Sequence, residues 1–426
     1  REEMPEVDHL YMSVCQAMTG RGGWPLTIVM SPDEEPFFAG TYFPKTGHGN
    51  RPGMLELIPS LMNAWNNKQE DIQKTILQVN NYLKNANNTK PGSALNKAII
   101  KDAFGSFIER YDSDHGGFGN APKFPSPHNL MFLLRYHNAY KDPMAKTMVE
   151  KTLSKMRLGG IFDHIGFGFH RYSTDQEWFL PHFEKMLYDQ AMISLAYLEA
   201  FELTKNQEYA DITHEIFTYV LRDMTDIKGG FYSAEDADSE GEEGKFYVWT
   251  KSEINKILGP NEGKQFIEIF GFKDQGNFHD EATSQLTGNN IPYLKNNLSK
   301  YAKKNDIDIE HLKKTIEENR LALFNQREKR IHPLKDDKIL TDWNGLMIAA
   351  FANGGKILKN DKYIMAAENA TDFILNNMKD DKGRLFKRYR KGSSGLQPHI
   401  DDYAFFIWGL LNLYEAGFKV RYLQSA

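Results

Sequence analysis

The stretch KMLYDQAMISLAYLEAFEL, residues 185–203, decides the fold. It has the length of a helix and is apolar on nearly every side. A helix with no wet face has to be buried. WNGLMIAAFANGGKIL, residues 343–358, and DYAFFIWGLLNLYEA, residues 402–416, share that character, and residues 129–136 share it more briefly. The first, second and fourth of these stretches are each followed by a helical segment with a charged face, at 206–224, 361–378 and 143–157. Alternating buried and half-wet helices predict an inner ring wrapped by an outer one, an α/α toroid of helical hairpins. A simple bundle would make most of its helices amphipathic.

Glycines punctuate the pattern. Residues 114–118, 158–162, 227–231 and 381–386 each place one or two glycines and then an aromatic after a helical segment. Glycine is the expected left-handed stop of a helix, and the aromatic can plug the mouth of the ring. The uneven spacings predict a degenerate repeat interrupted by an insertion at about 233–340, itself holding a charged helical piece at 309–330. The last few residues read as an outer helix just starting, so the ring is expected to be incomplete at the C-terminus.

In a toroid the inner helices run the same way, and their N-termini converge on one mouth. Those starts carry Pro181-His182-Phe183-Glu184, Thr341-Asp342-Trp343 and His399-Ile400-Asp401-Asp402. Asp, Ser and Thr cap helices, and capping alone would explain Asp342 and Asp401; it does not explain His182 and His399. Helix dipoles at a mouth favour anions and depress a neighbouring imidazole. A neutral His beside carboxylates is a good general base. His182, Glu184, Asp342, His399 and Asp401 are therefore the catalytic candidates. His164, His170, Arg171, Asp236 and Asp238 are expected to bind substrate, His164 and His170 as supporting wall, and Asp236 and Asp238 on a loop that reaches the mouth or else simply stays solvated. Trp178, Trp343 and Tyr403, with Tyr247 and Trp249, could supply flat faces for a sugar ring, although each alone is more often core. No recognised metal-ligand spacing, P-loop or Gly-x-Gly-x-x-Gly is present, so neither a metal nor a cofactor is expected.

Residues 1–90 read differently. A helical stretch at 8–19 leads through Gly-Arg-Gly-Gly to Trp24-Pro25, then to two short apolar runs, 26–30 and 37–43, joined by a Ser-Pro-Asp turn. That is a hairpin, preceded by a proline expected to be cis. A single long helix is expected over 54–84, and NANNTKPGSA, 85–94, reads as a linker. The domain boundary therefore falls at 90/91.

At 426 residues and 41% hydrophobic content the chain can bury a large core. Its net charge of −5 offers nothing to nucleic acid or to an anionic membrane. No apolar run approaches the length of a membrane span. A single cysteine, Cys15, excludes an intrachain disulfide and suits a reducing, cytoplasmic compartment.

GRGGWPLTIVMSPDEEPFFAGTYFP, GGFGNAPKFPSPHNLMFLLRY, GGIFDHIGFGFHRYSTDQEWFLPHFEKMLYDQA, GGFYSAEDADSEG and LTDWNGLMIAAFA together resemble the thioredoxin-domain-containing family related to spermatogenesis-associated protein 20. The resemblance implies a thioredoxin-like α/β domain followed by a mainly α toroid of the six-hairpin glycosidase and N-acylglucosamine 2-epimerase type. The family's Cys-x-x-Cys is not in this sequence, and Cys15 does not match it, so the thioredoxin-like domain is expected to lack its N-terminal part. Two functions stay open. One is a sugar epimerase or glycosidase-like enzyme acting on a small sugar or oligosaccharide. The other is a thiol-redox or quality-control protein whose toroid only binds a glycan or partner. The sequence leaves the oligomeric state undecided.

Overall fold

The computed structural model describes residues 1–47, 49, 52–86, 92, 96–280 and 285–426. The chain divides into two compact units, Arg1–Asn96 and Lys97–Ala426. Most of the segment read as a linker lies outside the described residues.

The first unit contains α1 (Pro5–Thr19), β1 (Thr27–Met30), β2 (Pro36–Gly40), α2 (Met54–Asn67) and α3 (Gln69–Ala86). β1 and β2 form the expected antiparallel hairpin, from Thr27 opposite Gly40 to Met30 opposite Pro36. The Trp24–Pro25 bond is cis. Val14 and Cys15 of α1, Ala39 of β2 and Val79 of α3 make a small core. The long helix expected over 54–84 is two helices. Lys68 leaves the helical region, at φ −134° and ψ 43°, and closes α2. The Asn66-Asn67 pair before it consists of poor helix formers, the local signal that a single-helix reading overlooks.

The second unit contains α4 (Ala98–Arg110), α5 (Pro127–Tyr140), α6 (Pro143–Leu158), α7 (Leu187–Thr204), α8 (Gln207–Asp223), α9 (Lys251–Leu258), α10 (Pro260–Ile269), α11 (Leu298–Asn305), α12 (Ile309–Arg327), α13 (Thr341–Leu358), α14 (Asp361–Asn377), α15 (Ile400–Gly417) and α16 (Val420–Ser425). α5 packs on α7, α7 on α13 and α13 on α15, while α6, α8, α14 and α16 each pack on the inner helix of their own hairpin. This is a toroid arc with four inner helices among the described residues. α7 and α13 are buried on nearly every side, as their sequences require. The C-terminal halves of all four inner helices line one cavity of about 470 Å³, which includes Leu134, Leu203, Ile357 and Asn412. Their N-termini therefore gather at the opposite end.

Four turns repeat around the arc. In each, an aspartate amide donates to a carbonyl a few residues on: Asp112 to Gly117, Asp163 to Gly168, Asp226 to Gly230 and Asp380 to Arg384. Each turn is closed by an isolated antiparallel bridge: Tyr111 with Phe118, Phe162 with Phe169, Thr225 with Phe231 and Lys379 with Leu385. Three of these are the glycine-aromatic elements at 114–118, 227–231 and 381–386. The second repeat is not 158–162 but the turn that follows it, at 163–169. The Gly-Gly of 158–162 has another task. A Cβ on Gly159 would collide with the Trp178 carbonyl, so glycine there lets the chain pass against residue 178.

Helices α9–α12 form the insertion and carry their own core around Trp249, Phe266, Phe270 and Leu312. Two arginines pin it to the ring: Arg320 donates to the Ile165 carbonyl at 2.7 Å and Arg327 to Asp163 at 2.9 Å. Asp163 also takes Lys185 at 2.8 Å. Burial raises the Asp163 carboxyl and the two cations outweigh it, holding the group well below the usual carboxylate range.

Candidate active site at the mouth of the inner helices

Two-residue strands lay the loops across the starts of the inner helices. Tyr172–Ser173 pairs with Pro181–His182. Lys185–Met186 pairs with Ala234–Glu235, which pairs in turn with Lys335–Asp336. The chain then turns directly into α7 at Leu187. Asp238–Ser239 and Glu242–Glu243 form a hairpin whose Glu240 and Gly241 both have positive φ, the geometry that two-residue hairpin loops require.

That hairpin delivers Glu243 to His182. Glu243 Oε1 is 2.7 Å from His182 Nδ1 and also accepts the Phe183 amide at 3.3 Å. His182 Nε2 lies 3.8 Å from Glu184 Oε2. Tyr172 stacks on the imidazole, with centroids 5.0 Å apart. Burial pulls the imidazole pKa down, but the bond to Glu243 and the charges of Glu243 and Glu184 override it, and the pKa is raised. Glu184 is held by Arg171, whose Nη1 donates to Oε2 at 2.8 Å. Arg171 also bonds Tyr188 of α7, and Tyr188 meets Trp343 of α13 edge to face at 4.9 Å. Behind this group lies Asp189. Its carboxyl is buried and its Oδ2 has no hydrogen-bond partner. Burial raises its pKa well above the carboxylate range, with Arg171 opposing and Glu184 reinforcing.

A second group sits at the starts of α13 and α15. Lys387 Nζ donates to Asp342 Oδ2 at 2.5 Å and to Asp402 Oδ1 at 3.2 Å. Burial and the neighbouring Asp342 push the Asp402 pKa up to about 6. The acid of this pair is Asp402; Asp401, the sequence candidate, points outward and is exposed. His399 is the N-cap of α15 by its backbone: its amide donates to Asp402 Oδ2 at 2.7 Å and its carbonyl accepts the Asp402 amide at 3.2 Å.

The other candidates divide by burial. His164 bonds Arg157 and the Gly159 carbonyl, and His170 bonds the Phe183 carbonyl. Both are buried, and burial lowers both imidazoles to about 3. They form neutral packing behind the mouth and do not contact its interior. Trp178 is 0% exposed and donates its indole N–H to the His115 carbonyl. Trp249 and Tyr247 are also buried. None of these three offers a face to a ligand. Trp343 and Tyr403 remain half-buried, and Asp236 and Asp238 are exposed. Asp238 is close enough to feel the charges of Glu243 and His182. Glu243 and Asp189, like Lys387 and Asp402, are mouth residues that sequence reasoning passed over. Glu243 lies in the SEGEEG run, which has the composition of a solvated loop. Asp189 reads as an ordinary acid in the first turn of a helix. Among the described residues, no cluster of three or more His, Cys, Asp or Glu is arranged to hold a metal ion, and no helix is long and apolar enough to cross a membrane.

Residues 1–84 match the thioredoxin-related family described as a protein of unknown function, DUF255. The whole chain is 37% identical over 462 residues to human spermatogenesis-associated protein 20 and 35% identical over 462 residues to its rat counterpart. The chain spans 58% of the length of each of these relatives. Among solved structures, cellobiose 2-epimerase from Bacillus thermoamylovorans aligns at 12% identity, with 72% of this chain, 97% of that one and a TM-score of 0.30. A family 76 glycoside hydrolase from a bovine Bacteroides thetaiotaomicron strain aligns at 12% identity, with 99% of this chain, 67% of that one and a TM-score of 0.43. The chain is thus a relative of spermatogenesis-associated protein 20, with a thioredoxin-related N-terminal region and a helical toroid.

Proposed function

We propose that the toroid unit is an acid–base enzyme acting on a sugar-type substrate at the mouth where the inner helices begin. The His182 arrangement carries this reading. One ring nitrogen is fixed by Glu243 at 2.7 Å, and the other faces Glu184 across 3.8 Å. A carboxylate behind an imidazole sets its tautomer and keeps it protonated further up the pH scale. His182 then acts as the proton donor. Glu184, bound by Arg171 at 2.8 Å, acts as the acceptor on the adjoining side. Proton removal and return beside a sugar carbonyl needs one group of each kind. Tyr188 and Trp343 give a polyhydroxylated ring apolar faces fringed by hydrogen-bonding groups. The Asp342–Lys387–Asp402 group closes the side of the mouth towards α15.

The test is a screen of aldoses, ketoses and short oligosaccharides incubated with the protein in D₂O. Solvent deuterium at a carbon next to the sugar carbonyl is the expected result. Cleavage of a glycosidic bond without carbon-bound deuterium would replace this reading by hydrolysis between two carboxylates. Binding without any product would reduce the mouth to a recognition site. A thiol-redox role finds less support in these residues. Cys15 is buried, and its thiol donates to the Arg21 carbonyl at 3.5 Å, whereas a reactive cysteine is accessible and electropositively placed.

A further inference from the structure

A second cavity lies away from the mouth, between the end of α6 and the loop that follows α10. It measures about 470 Å³, and Lys155, Lys273, Lys295 and His115 contribute to its wall. Among the described residues none of the three lysines forms an ion pair. The carboxylate in the lining is Glu177, which lies 3.9 Å from His115 Nε2. His115 is shared on its other side with Asp112 at 3.4 Å. Lys155 is in the last turn of α6, where a cation complements the helix end. That explanation does not extend to Lys273 and Lys295, which stand on irregular backbone.

The irregular backbone is itself firmly built. Asn277 Nδ2 donates to the Ile291 carbonyl at 2.9 Å, and Asn277 Oδ1 accepts the Ile291 amide at 2.9 Å. The Leu294 amide donates to the Leu158 carbonyl at 2.8 Å, tying this loop to the end of α6. Phe179 and Tyr293 meet edge to face at 4.9 Å and supply an apolar flank. Lys155 is half-buried and Lys273 and Lys295 are exposed, so an anion entering the cavity meets three lysines that no carboxylate among the described residues has already paired. Compact, strongly hydrated ammonium groups suit phosphate as point charges.

We propose that this cavity binds a small phosphate-bearing molecule, with Lys155, Lys273 and Lys295 neutralising the phosphate and Phe179 and Tyr293 covering the group attached to it. The assignment does not depend on the chemistry proposed for the mouth. Calorimetric titration of the protein with inorganic phosphate, AMP and adenosine tests it. Phosphate and AMP are expected to bind, and adenosine is not. Tighter binding of AMP than of phosphate assigns an organic phosphate, and equal binding assigns the free ion. The triple substitution K155Q/K273Q/K295Q should weaken AMP at least tenfold at an unchanged melting temperature. F179A should remove any preference for AMP while phosphate still binds. No binding by either anion, adenosine binding as tightly as AMP, or a triple variant that binds like wild type would overturn the proposal.

Discussion

His182 is the residue on which the mouth turns, and its behaviour follows from two neighbours, one on a short hairpin and one in the link between two short strands. Glu243 contributes a direct bond and a charge, and Glu184 contributes a second charge, so the imidazole is held protonated above its ordinary range. E243Q removes a bond acceptor's charge and leaves Glu184 alone to oppose burial, so the imidazole pKa should fall. ¹H–¹⁵N NMR titration of His182 in both proteins measures this directly. Because the folded pKa is raised, the interaction stabilises the protein at low pH and is lost as pH rises through that value. Asp402 gives a second pH-dependent signature. Its carboxyl is buried beside Asp342 and raised to about 6. This group's contribution to stability is greatest below the ordinary aspartate range and declines as pH rises towards about 6. In urea unfolding, D402N should remove that decline. A carboxyl resonance titrating near pH 6 in wild type, and absent in D402N, would identify the group.

At the scale of the element, α13 and α15 cross at two glycines. A Cβ on Gly345 would come within 2.5 Å of the Phe405 and Phe406 backbone, and one on Gly409 within 2.7 Å of the Gly345 carbonyl. The backbones touch there, and the contact sets the spacing that lets Asp342 and Asp402 share Lys387. G345V should force the helices apart and destabilise the unit by roughly 1–3 kcal/mol, the usual scale of overpacking. Its urea midpoint measures that loss, and the Asp402 titration should move with it. The helices themselves were legible in sequence, because an all-round apolar stretch such as 185–203 has one physical solution. The turn repeat was half legible. Glycine followed by an aromatic marks all four turns, but at the second the pair is Gly168-Phe169, and the Gly-Gly at 159–160 instead marks the passage of Gly159 against residue 178. The aspartate that closes each turn is a better signature, since it is the residue whose backbone and side chain make the turn. Glu243 was not legible, because its role depends on a two-residue pairing across a charged loop. His399 is the N-cap of α15 through its backbone, a position that says nothing of what its imidazole does.

At the scale of the whole molecule the chain joins two compact units of different make, a small α/β unit around one buried thiol and a toroid whose inner helices all begin at one end. The short strands at that end place an oriented imidazole, a cation-held carboxylate and two aromatic faces within a linked set of contacts. The central claim is that turnover belongs to this mouth and not to the thiol of the first unit. Comparing the rate of solvent-deuterium incorporation into the sugar found by the screen, for wild type, H182Q and C15S, tests it most directly. H182Q should lose at least about 100-fold in rate, the lower range for removing a general acid, and C15S should turn over like wild type. An H182Q protein that keeps its rate, or a C15S protein that loses it while still folded, would contradict the claim.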